Sequence, residues 1–346
     1  MAPDKFRGSL SAAAAAEAMA AGVEAAGFDA RRMPLADGGE GTLDALLAAR
    51  GGSTRTATVT GPLGEPVAAQ WGLLPDGSGV VEMARASGLE LVTGRSPSRA
   101  PGMRNDPLRA STRGTGELIA AALRGGARRV IVGVGGSATT DGGLGAVDAL
   151  GWSLVGQDVT VACDVATPFL DAATVYAPQK GATSAQVSLL TGRLARLAEV
   201  YEDRTGVDVT ELEGGGAAGG LAGGLAAIGA QLEPGFDVVA RAAGFDDALA
   251  GAELVVTGEG KLDPTSFEGK VVGGVLEWAA DEGVAKRVVI VGQATPEGRD
   301  ELSVLGDVQL LTLTERAWTS GDAFARAALL VEEAAIEAGR RAREAR

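Results

Sequence analysis

The chain has 346 residues, of which 46% are hydrophobic and 22% are charged, and its net charge at pH 7 is −14. This length and composition are typical of a globular protein with room for two domains, and they exclude a largely disordered chain. The acidic charge argues against a nucleic-acid partner, because a phosphate backbone binds basic surfaces, and no apolar run reaches the roughly 20 residues of a membrane helix.

Histidine is absent from the sequence, and Cys163 is its single cysteine. The absence of histidine excludes Ser-His-Asp catalysis and histidine-based metal sites. A single cysteine excludes an internal disulfide and a cysteine-rich zinc site. We therefore predict a reducing, cytoplasmic setting and no membrane contact.

The first part of the chain predicts two helices followed by short strands. Ser9 or Ser11 can cap the first helix, which buries Met19 and Val23. Glycine and proline break the next stretch into strand-like runs, the pattern of an antiparallel meander. The predicted elements are a helix to about Gly27, a helix from about 37 to 47, strands at 54–60, 67–74 and 79–83, a surface loop at 95–104, a helix at 115–123 capped by Thr112 or Thr115, and a strand at 130–134.

Strands and helices alternate in the remainder of the chain. The predicted elements are a helix from Leu144, a strand at 159–163, a long irregular loop through Lys180, a helix at 184–201, a buried glycine- and alanine-rich loop-helix at 214–228, a strand at 254–256, a helix at 273–280, strands at 287–291 and 308–312, and a final helix from Gly321. This alternation indicates an α/β protein with a mainly parallel sheet covered on both faces, and the meander indicates a second, mixed sheet. We predict two domains, one formed by residues 1–55 with 235–346 and the other by residues 56–234.

The most informative stretch is residues 128–143, with the sequence RRVIVGVGGSATTDGG. A β-branched strand enters a loop of glycines and hydroxyls, and an apolar helix follows, which is how α/β proteins bind phosphate with backbone N–H groups. The loop matches neither the dinucleotide G-x-G-x-x-G pattern nor the Walker loop, and a plain tight turn is the alternative. The predicted phosphate-binding residues are Gly135, Gly136, Ser137 and Thr139.

Three further loops combine glycine with a carboxylate or a lysine next to a predicted strand end. They contain Asp4 and Lys5, then Asp37, and then the stretch 257–263, which continues to Lys270. In this last loop Gly258 and Glu259 are further predicted cofactor-binding residues. Ligands of parallel α/β sheets collect at the carboxyl ends of the strands, so such loops can converge. The structural alternatives are that Asp4 and Asp37 form turns or helix caps and that Glu259 pairs with Lys261.

Carboxylates that face a phosphate suggest Mg²⁺, and lysines there would neutralise the charge of a transferring group. Asp141 or Asp164 is the candidate magnesium-associated carboxylate, and Asp4 or Asp37 is the candidate general base. The candidates for binding a substrate carboxylate or a γ-phosphate are Lys5, Lys180 and Lys270.

An ordered set of motifs along nearly the whole chain resembles the bacterial type I glycerate kinase family. The matching segments are APDKF at 2–6, ADGGEGT at 36–42, EMARASGL at 82–89, GTGELI at 114–119, GVGGSATTDGG at 133–143, ACDV at 162–165, PQKGA at 178–182, GAAGG at 216–220 and TGEG at 257–260. The resemblance implies two unlike α/β domains, one of them flavodoxin-like, with the active site in the cleft between them.

The same resemblance implies a kinase that uses ATP and Mg²⁺ to phosphorylate D-glycerate, a small-molecule substrate, giving 2-phosphoglycerate. It also leads us to expect a monomer or a homodimer. The alternatives are phosphorylation at the 3-position, a redox enzyme that binds a dinucleotide in the glycine loop, and a non-catalytic protein that binds a phosphorylated metabolite.

Three departures from the family pattern bear on these expectations. Family members usually carry an apolar strand before the Ala-Pro-Asp motif, whereas only Met1 precedes it here. The family's Asn-Pro after the Cys-Asp motif is Thr167-Pro168, and the usual glycines before Pro178 are replaced by the residues at 171–173. We expect the first departure to affect local stability and the other two to affect the setting of the loop that carries Lys180.

Overall fold

The computed structural model describes residues 1–93 and 105–344, so the surface loop predicted at 95–104 lies outside the described residues. The described chain divides into two compact units. The first unit consists of residues 1–37, 44–51 and 236–346, and the second consists of residues 38–43 and 52–235. The domain boundaries drawn from the sequence stay a prediction. None of the helices in this described part is long and apolar enough to cross a bilayer.

Strands and helices alternate along most of the chain. The strands are β1 (Ser53–Thr60), β2 (Pro66–Leu73), β3 (Ser78–Glu82), β4 (Arg129–Gly133), β5 (Asp158–Ala162), β6 (Gln231–Glu233), β7 (Leu254–Leu262), β8 (Lys286–Ala294) and β9 (Val308–Thr312). The helices are α1 (Ala12–Ala25), α2 (Thr42–Arg50), α3 (Ala84–Ser87), α4 (Arg113–Arg124), α5 (Leu144–Ala149), α6 (Ala172–Tyr176), α7 (Ser184–Thr205), α8 (Ala217–Ala227), α9 (Gly235–Ala243), α10 (Phe245–Leu249), α11 (Val271–Asp281), α12 (Pro296–Val304), α13 (Ser320–Ala325) and α14 (Ala327–Glu344).

The second unit is built on a six-stranded sheet in the order β1-β2-β3-β4-β5-β6. The pairs β1–β2 and β2–β3 are antiparallel, so the predicted meander is confirmed. From β3 to β6 the strands are parallel. A mixed sheet of this kind was expected, and the α/β fold class is confirmed.

The first unit contains a parallel three-stranded sheet, β7-β8-β9, with helices on both faces. Successive side chains of β8 alternate between two cores, as the period of a strand requires. Val288 and Ile290 pack with α1 and α14, whereas Val289 and Val291 pack with residues of α11 and α12. This alternation explains why β8 reads as a continuous apolar run in the sequence.

Two extended segments near the N-terminus continue the parallel arrangement beside β7. The N–H of Ala2 donates to the carbonyl of Val256 at 2.8 Å, and the N–H of Leu35 donates to the carbonyl of Pro3 at 3.0 Å. Because these segments advance in the same direction as β7, their ends arrive at the carboxyl edge of the sheet. Asp4 and Asp37 therefore lie at this edge.

Two element predictions are wrong. The stretch before Lys180, predicted as irregular, contains α6 between two short 3-10 helices, Phe169–Asp171 and Pro178–Lys180. The stretch 257–263, predicted as a loop, mostly belongs to β7, because pairing with β8 continues as far as Leu262 opposite Ala294. The structure also adds elements that the sequence did not predict: α3, β6, α9, α10 and α12.

The glycine- and alanine-rich segment at 214–228 is a closely packed turn leading into a helix, as predicted. Ala218, Gly219 and Gly220 have positive φ values of 54°, 74° and 92° inside the range of α8. A Cβ atom on Gly219 would lie 2.7 Å from the Cα of Thr140. Glycine is therefore needed at position 219 both for its backbone conformation and for its space.

Two helical glycines provide a test of this packing argument. In α1, a Cβ atom on Gly22 would lie 2.6 Å from the Cβ of Ala335 in α14, whereas nothing lies within 4 Å of the corresponding position on Gly192 in α7. We expect Gly22→Ala to lower the free energy of unfolding by about 1–3 kcal/mol through overpacking. The matched substitution Gly192→Ala should raise it by about 0.5–1 kcal/mol through helix propensity. Thermal melting of both variants measures these changes, and a stabilised Gly22→Ala variant would contradict the close packing of α1 on α14.

Candidate active site

A cavity of ≈ 590 Å³ opens in the first unit beside the carboxyl edge of its parallel sheet. Its charged lining residues are Asp4, Lys5, Arg7, Asp37, Glu259, Lys261, Asp263 and Lys270. Five of the predicted site residues, Asp4, Lys5, Asp37, Glu259 and Lys270, thus line one space. Asp4, Lys5, Asp37 and Glu259 converge because three chain segments run in parallel to the same edge, and Lys270 joins them from the start of α11.

Asp4 is a partly buried carboxylate held against the segment that follows it. Its Oδ1 accepts a hydrogen bond from the backbone N–H of Lys5 at 2.6 Å, and the Lys5 Nζ lies 3.7 Å away. Burial raises the pKa of Asp4 to about 6, and the negative charge of Asp37 acts in the same direction. Lys5 and Arg7 oppose this rise in pKa. Asp4 is therefore a stronger base than an exposed aspartate.

Glu259 lies within β7, and its side chain reaches the same cavity. Burial raises the pKa of Glu259 to about 7, with the negative charges of Asp4 and Asp263 adding to the effect. Its Oε1 is buried and has no hydrogen-bond partner among the described residues. A buried carboxylate oxygen without a hydrogen-bond partner is stabilised by binding a proton or a cation.

The neighbouring Gly258 has a backbone role in this arrangement. Its carbonyl accepts the N–H of Asp4 at 2.9 Å. A Cβ atom at this position would collide with the carbonyl of Ile290 in β8. Glycine here allows β8 to approach β7 closely while β7 also binds the segment that carries Asp4.

The cavity lysines are partly engaged by neighbouring side chains. Lys261 pairs with Asp263 at 3.1 Å. The Nζ of Lys270 donates to the hydroxyl of Thr265 at 2.5 Å, and Lys270 itself immediately precedes α11. Both lysines therefore line the cavity while a neighbouring side chain holds the amino group of each.

Lys180, in the second unit, is buried beneath the glycine loop with only 4% of its surface exposed. Its Nζ donates to the carbonyl of Thr139 at 2.5 Å and to the hydroxyl of Ser137 at 3.2 Å. Burial lowers the pKa of Lys180 to about 7, although the charge of Asp141 opposes this effect. The Nδ2 of Asn105 also donates to the carbonyls of Ala138 and Lys180. These contacts give Lys180 a role in fixing the loop.

Asp141 joins the starts of α4 and α5. Its Oδ2 accepts from the N–H of Thr112 at 2.8 Å, from the hydroxyl of Thr112 at 2.9 Å and from the N–H of Gly145 at 3.3 Å, and its Oδ1 accepts from the N–H of Gly143 at 3.2 Å. Burial raises the pKa of this carboxyl while the hydrogen bonds lower it. The sequence suggested Thr112 as one of two candidate caps of α4. Its hydroxyl makes no capping hydrogen bond and binds Asp141 instead.

The other predicted metal residue, Asp164, follows β5. Its Oδ1 accepts from the N–H of Gly235 at 2.7 Å. Within residues 1–93 and 105–344, no group of three or more aspartates, glutamates or cysteines is arranged to hold a metal ion. The magnesium roles predicted for Asp141 and Asp164 stay predictions.

The glycine loop itself is held by internal hydrogen bonds. The N–H of Ala138 donates to the carbonyl of Ser87 at 3.0 Å, and the N–H of Thr139 donates to the Ser137 hydroxyl at 3.1 Å. A Cβ atom on Gly135 would lie 2.7 Å from the Cα of Gly39. Close packing thus accounts for one of the loop's glycines, and the ATP-binding role predicted for Gly135, Gly136, Ser137 and Thr139 stays a prediction.

Glu82 is a polar anchor whose role the sequence reading missed. It ends the fully buried strand β3, and its Oε1 accepts from the N–H groups of Gly41 at 2.8 Å and Leu43 at 3.0 Å. Its Oε2 accepts from Arg85 at 2.5 Å. The available signal was a lone carboxylate at the end of an apolar strand, followed by an arginine three residues later.

Comparison with known proteins gives a consistent result over most of the chain. The model of a family described as the glycerate kinase family matches residues 1–160 and 154–343. A protein named glycerate 2-kinase from Escherichia coli K12 is 42% identical over 316 residues, covering 81% of each chain. A protein named glycerate kinase from Bacillus subtilis 168 is 39% identical and covers 97% of this chain and 95% of its own.

The fold has a counterpart among solved structures. A crystal structure from Salmonella typhimurium LT2, described as a candidate glycerate kinase 2, superimposes with a TM-score of 0.82. It is 37% identical, and the match covers 99% of this chain and 97% of the other.

The contrast between the buried Lys180 and the more exposed Lys261 can be tested with matched substitutions. Lys180→Met removes the donor to the Thr139 carbonyl and the Ser137 hydroxyl, so we expect a loss of about 1–3 kcal/mol in the free energy of unfolding. Lys261, whose side chain is 52% exposed, should tolerate methionine within about 0.5 kcal/mol. Urea denaturation of both variants measures the difference, and equal losses would contradict the anchoring role of Lys180.

Proposed function

Since the chain belongs to the glycerate kinase family, we propose that it transfers the γ-phosphoryl group of ATP to the 2-hydroxyl of D-glycerate in the cytoplasm. The observation that carries this proposal is the cavity of the first unit, where carboxylates of raised pKa and several lysine and arginine side chains line one space. Phosphoryl transfer requires this combination, because a hydroxyl must lose a proton near groups that neutralise phosphate charge.

The lysine and arginine side chains of the cavity supply positive charge for two anionic substrates. Lys5 and Lys270, with Arg7 and Lys261 beside them, line the space. We assign Lys5 and Lys270 to the carboxylate of glycerate and the γ-phosphate. Four carboxylates of the described residues lie in the same lining and the whole chain carries a net charge of −14, so an anion binds here through the individual cationic side chains that it contacts rather than through net positive charge.

Asp4 is our candidate for the general base. Its pKa of about 6 leaves it mostly ionised at neutral pH and basic enough to accept a proton from the attacking hydroxyl. Asp37 contributes by raising the pKa of Asp4. In a chain with no histidine, a carboxylate of raised pKa is a suitable group for this step.

Magnesium fits this cavity best beside Glu259. Mg²⁺ in kinases is usually held by one or two carboxylates together with phosphate oxygens and water, so a site made only of protein ligands is not required. The buried Oε1 of Glu259 has no hydrogen-bond partner among the described residues, whereas both oxygens of Asp141 already accept hydrogen bonds. When bound, the ion would neutralise the charge that develops on the phosphate oxygens.

Activity with a panel of acceptors tests the proposed reaction. We expect release of ADP from MgATP with D-glycerate and little release with L-glycerate, with D-lactate or with buffer alone. Phosphorus-carbon coupling in the NMR spectrum of the product should place the phosphate on carbon 2. The absence of glycerate-dependent ADP would refute the kinase assignment, and coupling at carbon 3 would refute only the proposed position.

The role of Asp4 predicts a specific pH dependence. As pH falls through about 6 the Asp4 carboxylate becomes protonated and can no longer accept a proton, so kcat/KM should decrease on the acidic side. Glu259, with a pKa of about 7, adds a second titration to this acidic limb. Asp4→Asn should lower kcat by about 10²-fold or more and leave only the titration of Glu259 in the limb.

The matched control for this substitution is Asp300→Asn, an exposed aspartate in α12. This variant should retain both the rate and the pH profile of the parent enzyme. An Asp4→Asn variant that keeps the titration near pH 6 would assign it to another group and remove Asp4 from the role of base.

A further inference from the structure

The cavity of the first unit is lined by two chemically different sets of residues. The first set is the charged residues described above. The second set is apolar and forms what we call the apolar wall: Phe6, Leu313, Ala323, Phe324 and Ala327. A ligand that fills the whole cavity must therefore combine an anionic part with an apolar part.

Phe324 provides the accessible surface of this apolar wall. It lies in α13 and is 56% exposed, whereas Leu313 is 1% and Ala323 is 7% exposed. The two buried residues belong to the core formed by α1, α14 and the parallel sheet. The ring of Phe324 is thus the aromatic surface that this wall exposes at the cavity.

The ring also lies against the loop that carries the polar groups. A Cβ atom on Gly8 would be 2.9 Å from the Cζ of Phe324, and Gly8 follows Lys5 and Arg7 closely in the chain. Glycine at this position leaves space for the ring next to the backbone. The apolar wall and the positively charged loop therefore form one continuous surface.

The chemistry of the two proposed substrates decides which of them uses the apolar wall. Every carbon of glycerate carries oxygen, so glycerate has no apolar face to place on an aromatic ring. A nucleotide combines a flat aromatic base with anionic phosphates, and the ≈ 590 Å³ of the cavity falls in the usual range for sites that enclose ligands of such size. We infer that Phe324 is the stacking platform for the nucleobase of the phosphoryl donor. This inference rests on the proposed use of ATP.

Binding measurements can isolate the contribution of the base from that of the phosphates. Calorimetric titration with ADP and with inorganic tripolyphosphate, both with Mg²⁺, should show that Phe324→Ala raises the Kd for ADP about tenfold. The Kd for tripolyphosphate, which has no base, should stay within about twofold of the parent value. Phe324→Tyr should preserve ADP binding, because its ring can stack in the same way.

The matched control is Trp318→Ala, which removes another aromatic side chain from the same part of the chain. Trp318 is 93% exposed and is not among the residues that line the cavity, so its removal should leave both Kd values unchanged. Because Phe324 is itself largely exposed, both variants should melt at the temperature of the parent protein, and this is checked before titration.

The possible results separate this inference from the proposed reaction. An unchanged Kd for ADP in Phe324→Ala, an equal loss for ADP and tripolyphosphate, or a parent protein that binds no ADP would each overturn the stacking platform. These titrations contain no glycerate. A parent protein that binds ADP through Phe324 but releases no ADP with glycerate would therefore refute the proposed reaction and leave the nucleobase site standing.

Discussion

The crowding of carboxylates at one edge of a parallel sheet is the constraint on which the candidate site depends. Asp4, Asp37 and Glu259 line the same cavity because two N-terminal segments run parallel to β7 and end beside it. Burial and the charge of a neighbouring carboxylate raise the pKa of both Asp4 and Glu259. Holding negatively charged carboxylates close together costs free energy, and lysine and arginine side chains in the same cavity offset part of that cost. The chemical character of the site follows from this balance.

The sequence predicted the elements whose signals are local and missed those that depend on distant pairing. Apolar runs bounded by glycine and proline located most strands to within a residue or two, and Ser11 caps α1 as expected. The stretch 257–263 was misread because glycine, glutamate and lysine are poor strand formers. Pairing of Lys261 with Gln293 across β7 and β8 overrides that local preference, and no local pattern reveals it.

The same limit applies to individual site residues. The shared edge of the sheet could be anticipated from the rule for parallel strands, and Asp4, Asp37 and Glu259 do line one cavity. The surroundings of Asp141 and Lys180 could not be anticipated in full, because Thr112 lies 29 residues from Asp141, and Thr139 and Ser137 lie 41 and 43 residues from Lys180. A glycine-rich motif with an acid and a lysine has the same appearance whether these side chains meet a ligand or a neighbouring loop. Only the tertiary contacts separate the two cases.

Proton transfer in a protein without histidine requires another group that titrates near neutral pH. Here burial raises the pKa of Asp4 and of Glu259, and neighbouring carboxylates add to the effect: the charge of Asp37 acts on Asp4, and the charge of Asp4 acts on Glu259. A cation that enters beside Glu259 would favour its ionised form and lower its pKa. The same positive charge would act on Asp4 through space, so the ionisation of the base would respond to the arrival of the metal-nucleotide. A cluster of coupled carboxylates can therefore link occupancy of the site to the availability of its base, which a single isolated aspartate could do only weakly.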